Sequence, residues 1–403
     1  MPKFEPFVQT FIRSSSDTDS NPITNPPART RGIRYATVQP TSQVATRSTI
    51  AAAVDYNYRT MVKAVEIASY YRAQLITFNE LSLSGYEFGE LDPENPDPIG
   101  DANIVQLVRD TADYLETNFY QAGGPIANLA RQNNITIVAT GPMNTQDPSG
   151  KSGIFDGGVV FEGGTGNILG RVFKTQLWGY SERNWFSVAE FDKSDPYLAS
   201  RQAYPVFEAN GFPFSVGICF DADFPEASRC MSLNGSLLNC FPTASPTTIL
   251  IGQVEPYPDI REHHIPANAM QNQCFCSYGN RAQYEYAQNG ITGQFDPVLE
   301  YDGNSVICNP YGTQMVASAD KRQHLLIADC IICDYPSTQP PGANYMTNRR
   351  PEIYGLITSQ TVPFPYGSPA GYTYANPVPA GQDPQVPSAD TPISCSAPAP
   401  SRK

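Results

Sequence analysis

Val216-Gly217-Ile218-Cys219-Phe220-Asp221-Ala222-Asp223-Phe224-Pro225-Glu226 reads as a β-branched run that stops at a cysteine. A carboxylate follows two residues on, and an Asp-Phe-Pro-Glu turn then opens a helix. A strand end holds a sulfur in place, and the first amides of a following helix favour a thiolate and any oxyanion formed beside it. The same residues admit a plainer reading, in which Cys219 is one more small core residue. The rest of the chain has to separate the two.

Outward from this stretch, strand-like and helix-like segments alternate. Tyr35–Gln39, Leu75–Phe78, Ile135–Ala139, Phe214–Ile218, Thr248–Ile251, Cys274–Tyr278, Ser305–Cys308 and Leu325–Ile332 read as strands. Asp55–Arg72, Asn103–Asn118, Pro125–Asn133, Glu226–Asn234 and Ala267–Gln273 read as helices. Gly158–Glu162 and Ile168–Lys174, separated by Gly163-Gly164-Thr165-Gly166-Asn167, form a hairpin signal; no helix follows those glycines, so they are not read as a phosphate cradle. The alternation predicts the α/β class, with 40% hydrophobic residues in a chain of 403 supplying an ample core. Residues 1–31 are polar and Pro/Ser/Thr-rich and are expected to be an arm, either poorly ordered or wrapping a neighbouring subunit. Residues 361–403 carry ten prolines and are expected to be an extended or disordered tail. No internal repeat divides the body at 32–360, which is read as one domain.

Charge narrows the function. A net charge of -13 and a sequence pI near 4.7 leave no electrostatic footprint for nucleic acid or for an anionic membrane surface. No apolar run reaches the ~18 residues that a membrane span requires. The first residues lack a secretory hydrophobic core, and nine cysteines, an odd number spread along a long chain, fit reduced thiols. The expected address is the cytoplasm.

The three histidines limit the chemistry. His263 and His264 stand in a polar loop and His324 follows Lys321-Arg322-Gln323, so all three read as surface residues. If Cys219 is a nucleophile, its base is therefore not expected to be histidine. Cys330-Ile331-Ile332-Cys333 has a zinc-type spacing, but it lies in an apolar strand without a matching pair, so no metal is expected. Carboxylate and lysine remain. Glu80 follows the strand Leu75–Phe78, and Lys174 ends the strand that starts at Ile168. Active-site residues of α/β sheets converge at strand ends, where Cys219 also stands. Singly, each charge would be read as solvated.

Three segments carry a specific resemblance. Phe78-Asn79-Glu80-Leu81-Ser82-Leu83-Ser84-Gly85-Tyr86 is similar to the F-P-E-L…G-Y segment of the nitrilase, or carbon–nitrogen hydrolase, superfamily, with Asn79 in place of proline. Gly170-Arg171-Val172-Phe173-Lys174-Thr175-Gln176-Leu177 resembles its G-x-Y-R-K-x-H-L segment, with Phe173 and Gln176 as departures. Gly217 to Glu226 resembles G-x-x-C-Y-D-x-x-F-P-E. Pro266–Gln273, Tyr278–Arg281, Asn309–Gly312 and Arg349–Tyr354 fall where the family has further motifs. The resemblance spans roughly 32–357 and neither arm.

It implies an α-β-β-α sandwich and a Glu-Lys-Cys amidase that needs no cofactor. Cys219 would form a thioester, Glu80 would act as general base and acid, and Lys174 with the Phe220 backbone N–H would hold the oxyanion. Glu182, eight residues after the lysine, would orient the lysine or the substrate amide. A lysine beside the sulfur is expected to favour thiolate. Cys219-Phe220-Asp221 looks like the amidase and carbamoylase side of the superfamily, since nitrile-cleaving members usually show Cys-Trp-Glu. Ala222 and Asp223 stand where members acting on N-carbamoyl amino acids tend to carry arginine, so a neutral or cationic amide is expected, with Asp223 as a candidate amine contact. Tyr86, Phe220 and Trp178 complete the candidate substrate-binding set, and Trp185 is read as a second wall of the pocket mouth. N-carbamoyl amide hydrolysis or nitrile hydrolysis by the same residues is the alternative, and a catalytically silent assembly protein is the alternative of another kind. A homo-oligomer, dimer or higher, is the expected state.

Overall fold

Single strands feed two different cores, and that division builds the layers. In a computed structural model that describes residues 3–12, 32–46, 48–88, 98–246, 260–288, 292–336, 339–340 and 342–358, Leu75 faces one hydrophobic cluster while Ile76 faces another. Tyr35 and Ala36, Val138 and Ile137, and Val160 and Val159 divide in the same way. Successive side chains of a strand point to opposite faces, so a sheet covered on both sides needs continuous apolar runs rather than alternation.

Seven strands form the first sheet, in the order Phe7–Phe11, His324–Ile331, Gly32–Gln39, Leu75–Thr77, Thr136–Gln146, Ser152–Phe161 and Ile168–Phe173. Six form the second: Gln314–Ala317, Val306–Cys308, Phe275–Gly279, Leu238–Pro242, Phe212–Val216 and Val206–Ala209. Their inner faces meet through Ile33, Leu75, Val138 and Leu326 from one side and Phe214, Val216, Leu238 and Ile307 from the other. Helices Ile50–Tyr70 and Pro125–Asn133 cover the outer face of the first sheet. Helices Pro225–Leu233 and His264–Asn272 cover the second through Ala227, Met231, Ile265 and Ala269. Each such aliphatic or aromatic side chain contributes about 1.5–3 kcal/mol by burial. The α-β-β-α sandwich is the result.

The cysteines follow the same division. Cys240 packs between the sheets while Cys276 and Cys308 lie under the outer helices, all fully buried. A small third sheet, Phe295–Glu300, Tyr284–Gln288 and Ser42–Val44, stands beside the sandwich. The segment Asn348–Lys403 is a separate unit, and its described part holds two short 3-10 turns, Pro351–Ile353 and Gly355–Thr358.

Some expectations change. Phe7–Phe11 is not an arm: it pairs in parallel with His324–Ile331 and forms the edge of the first sheet. That pairing also buries His324, which is opposite Phe7 and bonds Asp320 through Nε2 at 2.9 Å, so it is not a surface residue. The helix before Asn118 begins earlier, at Pro98, where proline costs no internal hydrogen bond. Residues 13–31, 361–403 and Thr248–Ile251 lie outside the described residues. Among the described residues no helix is long and apolar enough to cross a membrane.

One buried ion pair pins the second and third strands of the first sheet together. Arg34 and Asp329 stand opposite each other in register, with Nε–Oδ1 at 2.7 Å and Nη2–Oδ2 at 3.0 Å, and Arg34 Nη1 donates to Tyr71 O at 2.8 Å. Removing one partner strands a charge in a dry interior. Asp329→Ala is expected to cost about 3–5 kcal/mol of stability, read by equilibrium urea denaturation. A cost below 1 kcal/mol would show that the pair is not a fastening point.

Candidate active site

Glu80, Lys174 and Cys219 each stand just beyond the C-terminal end of a strand: Leu75–Thr77 and Ile168–Phe173 in the first sheet, Phe212–Val216 in the second. Strand direction therefore brings the three ends to one place between the sheets. Glu80 and Lys174 are fully buried, against the usual reading of a lone charge at a strand end.

Lys174 is the centre. Its Nζ donates to Glu80 Oε1 at 2.6 Å and to Glu182 Oε1 at 2.7 Å, and Asp156 Oδ2 lies 3.7 Å away. Burial alone would lower its pKa. The charges of Glu182 and Glu80, the largest that face it, outweigh that and raise it well above the ordinary lysine value. Oxygens of Glu80, Asp156 and Glu182 lie within 4.8 Å of one another, a set that would suit a cation, and the lysine supplies that charge.

Glu182, on the short helix Gly179–Trp185, is held on both oxygens. Tyr86 Oη donates to Oε1 at 2.7 Å and the Trp178 backbone N–H to Oε2 at 2.7 Å. The Tyr86 hydroxyl is thus committed to Glu182. Trp178 is partly exposed, while Trp185 is buried and packs edge-on to Tyr86 and Phe88.

Cys219 adopts a left-handed backbone, φ 49°, a region uncommon outside glycine that costs of order 1–3 kcal/mol and needs support from its surroundings. It opens a 3-10 turn, Cys219–Asp223, and the α-helix starts only at Pro225. The residue before a proline is pushed out of the helical region, and Phe224 is extended at ψ 109°, so the helix cannot reach back to the sulfur. The thiol's pKa is pushed well above its ordinary value by burial and then by Glu80, with Lys174 pulling the other way and losing. Burial and Glu80 thus oppose the thiolate that the lysine is expected to favour. Phe220 packs edge-on against Phe224 at 4.9 Å, and half-buried Asp223 faces His264 at 3.5 Å.

Two groups that the sequence reading left without roles hold the frame. Asp221 accepts from Ile218 N at 2.9 Å, Gln176 N at 2.9 Å and Thr175 Oγ1 at 2.8 Å, which ties the turn of Cys219 to the loop after Lys174. Its signal was the fixed carboxylate two residues after the cysteine. Arg281 donates through Nη2 to the carbonyls of Glu80 and Leu81 at 2.6 and 3.1 Å, and pairs through Nη1 with Glu285 at 2.7 Å. Glu285 in turn accepts the backbone N–H groups of Tyr86 and Glu87 at 2.8 and 2.9 Å. This pair clamps the loop that carries the acid. Arg281 had a signal in the Tyr278–Arg281 motif; Glu285 had none.

Comparison with known proteins places the chain in a family. The family model described as "Carbon-nitrogen hydrolase" matches residues 34–334. A protein described as a hydrolase in the pqqF 5′ region, from Pseudomonas protegens, is 27% identical over 192 residues, 46% of this chain and 54% of its own. An N-carbamoylputrescine amidase of Solanum lycopersicum is 23% identical over 320 residues, 75% of this chain and 90% of its own. The chain thus spans about half the length of the first relative and most of the second. Among solved structures, a double mutant of the amidase from Nesterenkonia sp. AN1 in complex with acrylamide superposes with a TM-score of 0.55 at 23% identity, covering 83% of this chain and 99% of that one. At that identity the likeness is one of fold. Taken with the match across residues 34–334, the two-sheet architecture makes this chain a member of the carbon–nitrogen hydrolase family, within the nitrilase superfamily.

Proposed function

We propose that the protein hydrolyses a small linear amide to a carboxylic acid and ammonia through a thioester on Cys219, with neutral or cationic substrates favoured. Glu80 carries this reading. One of its oxygens is bonded to the Lys174 ammonium, while the other, Oε2, is buried without a hydrogen-bond partner among the described residues. A dry carboxylate oxygen with unused lone pairs is a ready proton acceptor. The raised thiol pKa makes such an acceptor necessary, because the sulfur must lose its proton as it attacks.

The steps follow from these roles. Glu80 takes the thiol proton as the Cys219 sulfur bonds to the carbonyl carbon, and the carbonyl electron pair moves onto oxygen. Lys174 and the Phe220 backbone N–H stabilise that oxyanion; one donor of this kind is typically worth about 3–4 kcal/mol. Glu80 passes its proton to the nitrogen, the C–N bond breaks and ammonia leaves. A water then attacks the thioester as Glu80 takes its proton, and the proton returns to sulfur when the acid departs. Glu182 positions Lys174 throughout.

A second reading, N-carbamoyl amide hydrolysis, uses the same attack on a ureido carbonyl and releases ammonia, carbon dioxide and an amine. It draws support from the relatives named N-carbamoylputrescine amidase in rice, tomato and potato, and from the Asp223 carboxylate as a contact for an amine tail. An Asp223→Ala variant that loses activity equally on ω-amino amides and on simple aliphatic amides would remove that contact.

Ammonia release measured across small amides, carbamoyl compounds and nitriles is expected to be highest in the first two classes and abolished by Cys219→Ala. Glu80→Gln should lower kcat by about 10²–10⁴-fold. Release that survives Cys219→Ala would end the thioester mechanism, and no release from any class would favour the silent assembly protein. Alkylation of Cys219 by iodoacetamide, followed by mass spectrometry, should keep accelerating above the ordinary thiol range. Glu80→Gln removes the charge that raises the thiol, so it should move that profile to lower pH, and Lys174→Met should move it higher. Unmoved profiles would contradict the electrostatic coupling.

A further inference from the structure

Asp156 is a carboxyl that the proposed steps do not use. It lies on the strand Ser152–Phe161, is almost fully buried, and points at the same cluster as Glu80, Lys174 and Glu182. Its backbone carbonyl accepts the Lys174 N–H at 3.0 Å, so side chain and main chain face the lysine together. Yet neither side-chain oxygen has a hydrogen-bond donor among the described residues, and Lys174 Nζ stays 3.7 Å away while bonding two other carboxylates at 2.6 and 2.7 Å.

Charge counting makes this position informative. Three ionised carboxylates around one ammonium would leave two uncompensated negative charges in a dry site. Like charges this close cannot all ionise, and the anion with the fewest donors keeps a proton. Glu182 has three donors, Glu80 has the shorter lysine bond, and Asp156 has none. The groups facing Asp156 from the elements packed around it are Glu80, Lys174, Glu182 and the phenol of Tyr120. Three of the four either repel an anion there or offer only a hydrogen bond.

We propose that Asp156 is the neutral acid of the site, a positioning residue that stays protonated through neutral pH and so leaves the lysine to Glu80 and Glu182 and leaves Glu80 anionic. Burial first, and the Glu80 charge second, push its carboxyl well above the usual range, in agreement with the geometry. Once Asp156 ionises on the alkaline side, a third carboxylate competes for Lys174 beside Glu80 and Glu182, and attack slows. Folding also carries a cost. The unfolded chain ionises this aspartate near ~3.9, so its contribution to stability is complete below that pH and is lost as pH rises toward the folded value.

The inference rests on the proposed Glu-Lys-Cys reading for its effect on rate, so the test pairs rate with readouts that need no substrate. Infrared difference spectra of wild-type protein at neutral pH, with ¹³C-carboxyl aspartate as the label, should show the C=O stretch of a protonated carboxylic acid, and Asp156→Asn should remove it. Asp156→Asn should also raise the melting temperature near neutral pH and flatten its pH dependence. On amide substrate it should move the alkaline limb of the pH–rate profile upward. If the asparagine variant folds poorly, the labelled wild-type band and an Asp156→Ser variant still decide the protonation state. Absence of that band in wild type, or a variant less stable at neutral pH with unshifted limbs and a more than hundredfold loss of kcat, would overturn the proposal. A band that disappears as expected in a protein that releases no ammonia from any substrate would support the neutral Asp156 and overturn the amidase reading alone.

Discussion

Everything in this site depends on one buried ammonium. Moving a lysine head group out of water costs several kcal/mol, and the interior repays it only with close, well-aimed carboxylates. Glu80 and Glu182 supply them at 2.6 and 2.7 Å. Each carboxylate then has to be held as firmly as the lysine. Glu182 is gripped by Tyr86 Oη and the Trp178 amide, and the Glu80 loop by Arg281, which is itself paired with Glu285. The chain of polar contacts therefore runs from the catalytic lysine out to the small third sheet, where Glu285 lies on Tyr284–Gln288. A loose link anywhere would leave a charge without compensation.

The same cluster sets the state of the sulfur. A lysine next to a cysteine ordinarily favours thiolate, but here its charge is already spent on two carboxylates, and the site around Cys219 carries no surplus positive charge. Burial and Glu80 then outweigh the lysine and push the thiol's pKa up. The left-handed backbone at Cys219 and the carboxylate staple of Asp221 keep the sulfur at the strand end without a helix N-terminus behind it.

Substrate selection lies farther out, and its elements are softer. Asp223 is half-buried and shares its carboxylate with His264, whose pKa is raised by that contact. Trp178 stands partly exposed on the loop after Lys174. These groups sit on turns and short helices rather than on strands, outside the rigid sheets that hold the buried cluster.

The local sequence by itself determined the α/β class and the three strand ends, while the layers came from the family resemblance. Apolar runs such as Leu75–Phe78 and Phe214–Ile218 are legible because a strand buried on both faces must be apolar throughout, and a single polar residue just past each run stands out against it. Glu182 became legible only through the resemblance, which implies a second glutamate eight residues after the lysine. What the local sequence left undecided were interactions between residues far apart in the chain. The polar stretch at the start looked like an arm because nothing local says that Phe7–Phe11 will pair with a strand more than 300 residues away, and His324 looked exposed for the same reason. Asp156 sits in an ordinary hairpin strand, and Glu285 in a short outlying one; neither carries a local mark of its role. Propensity and pattern act over a few residues, whereas the energy of a buried charge depends on every group within a few ångströms, whatever its place in the chain. Only the tertiary structure decides which carboxylates share the lysine.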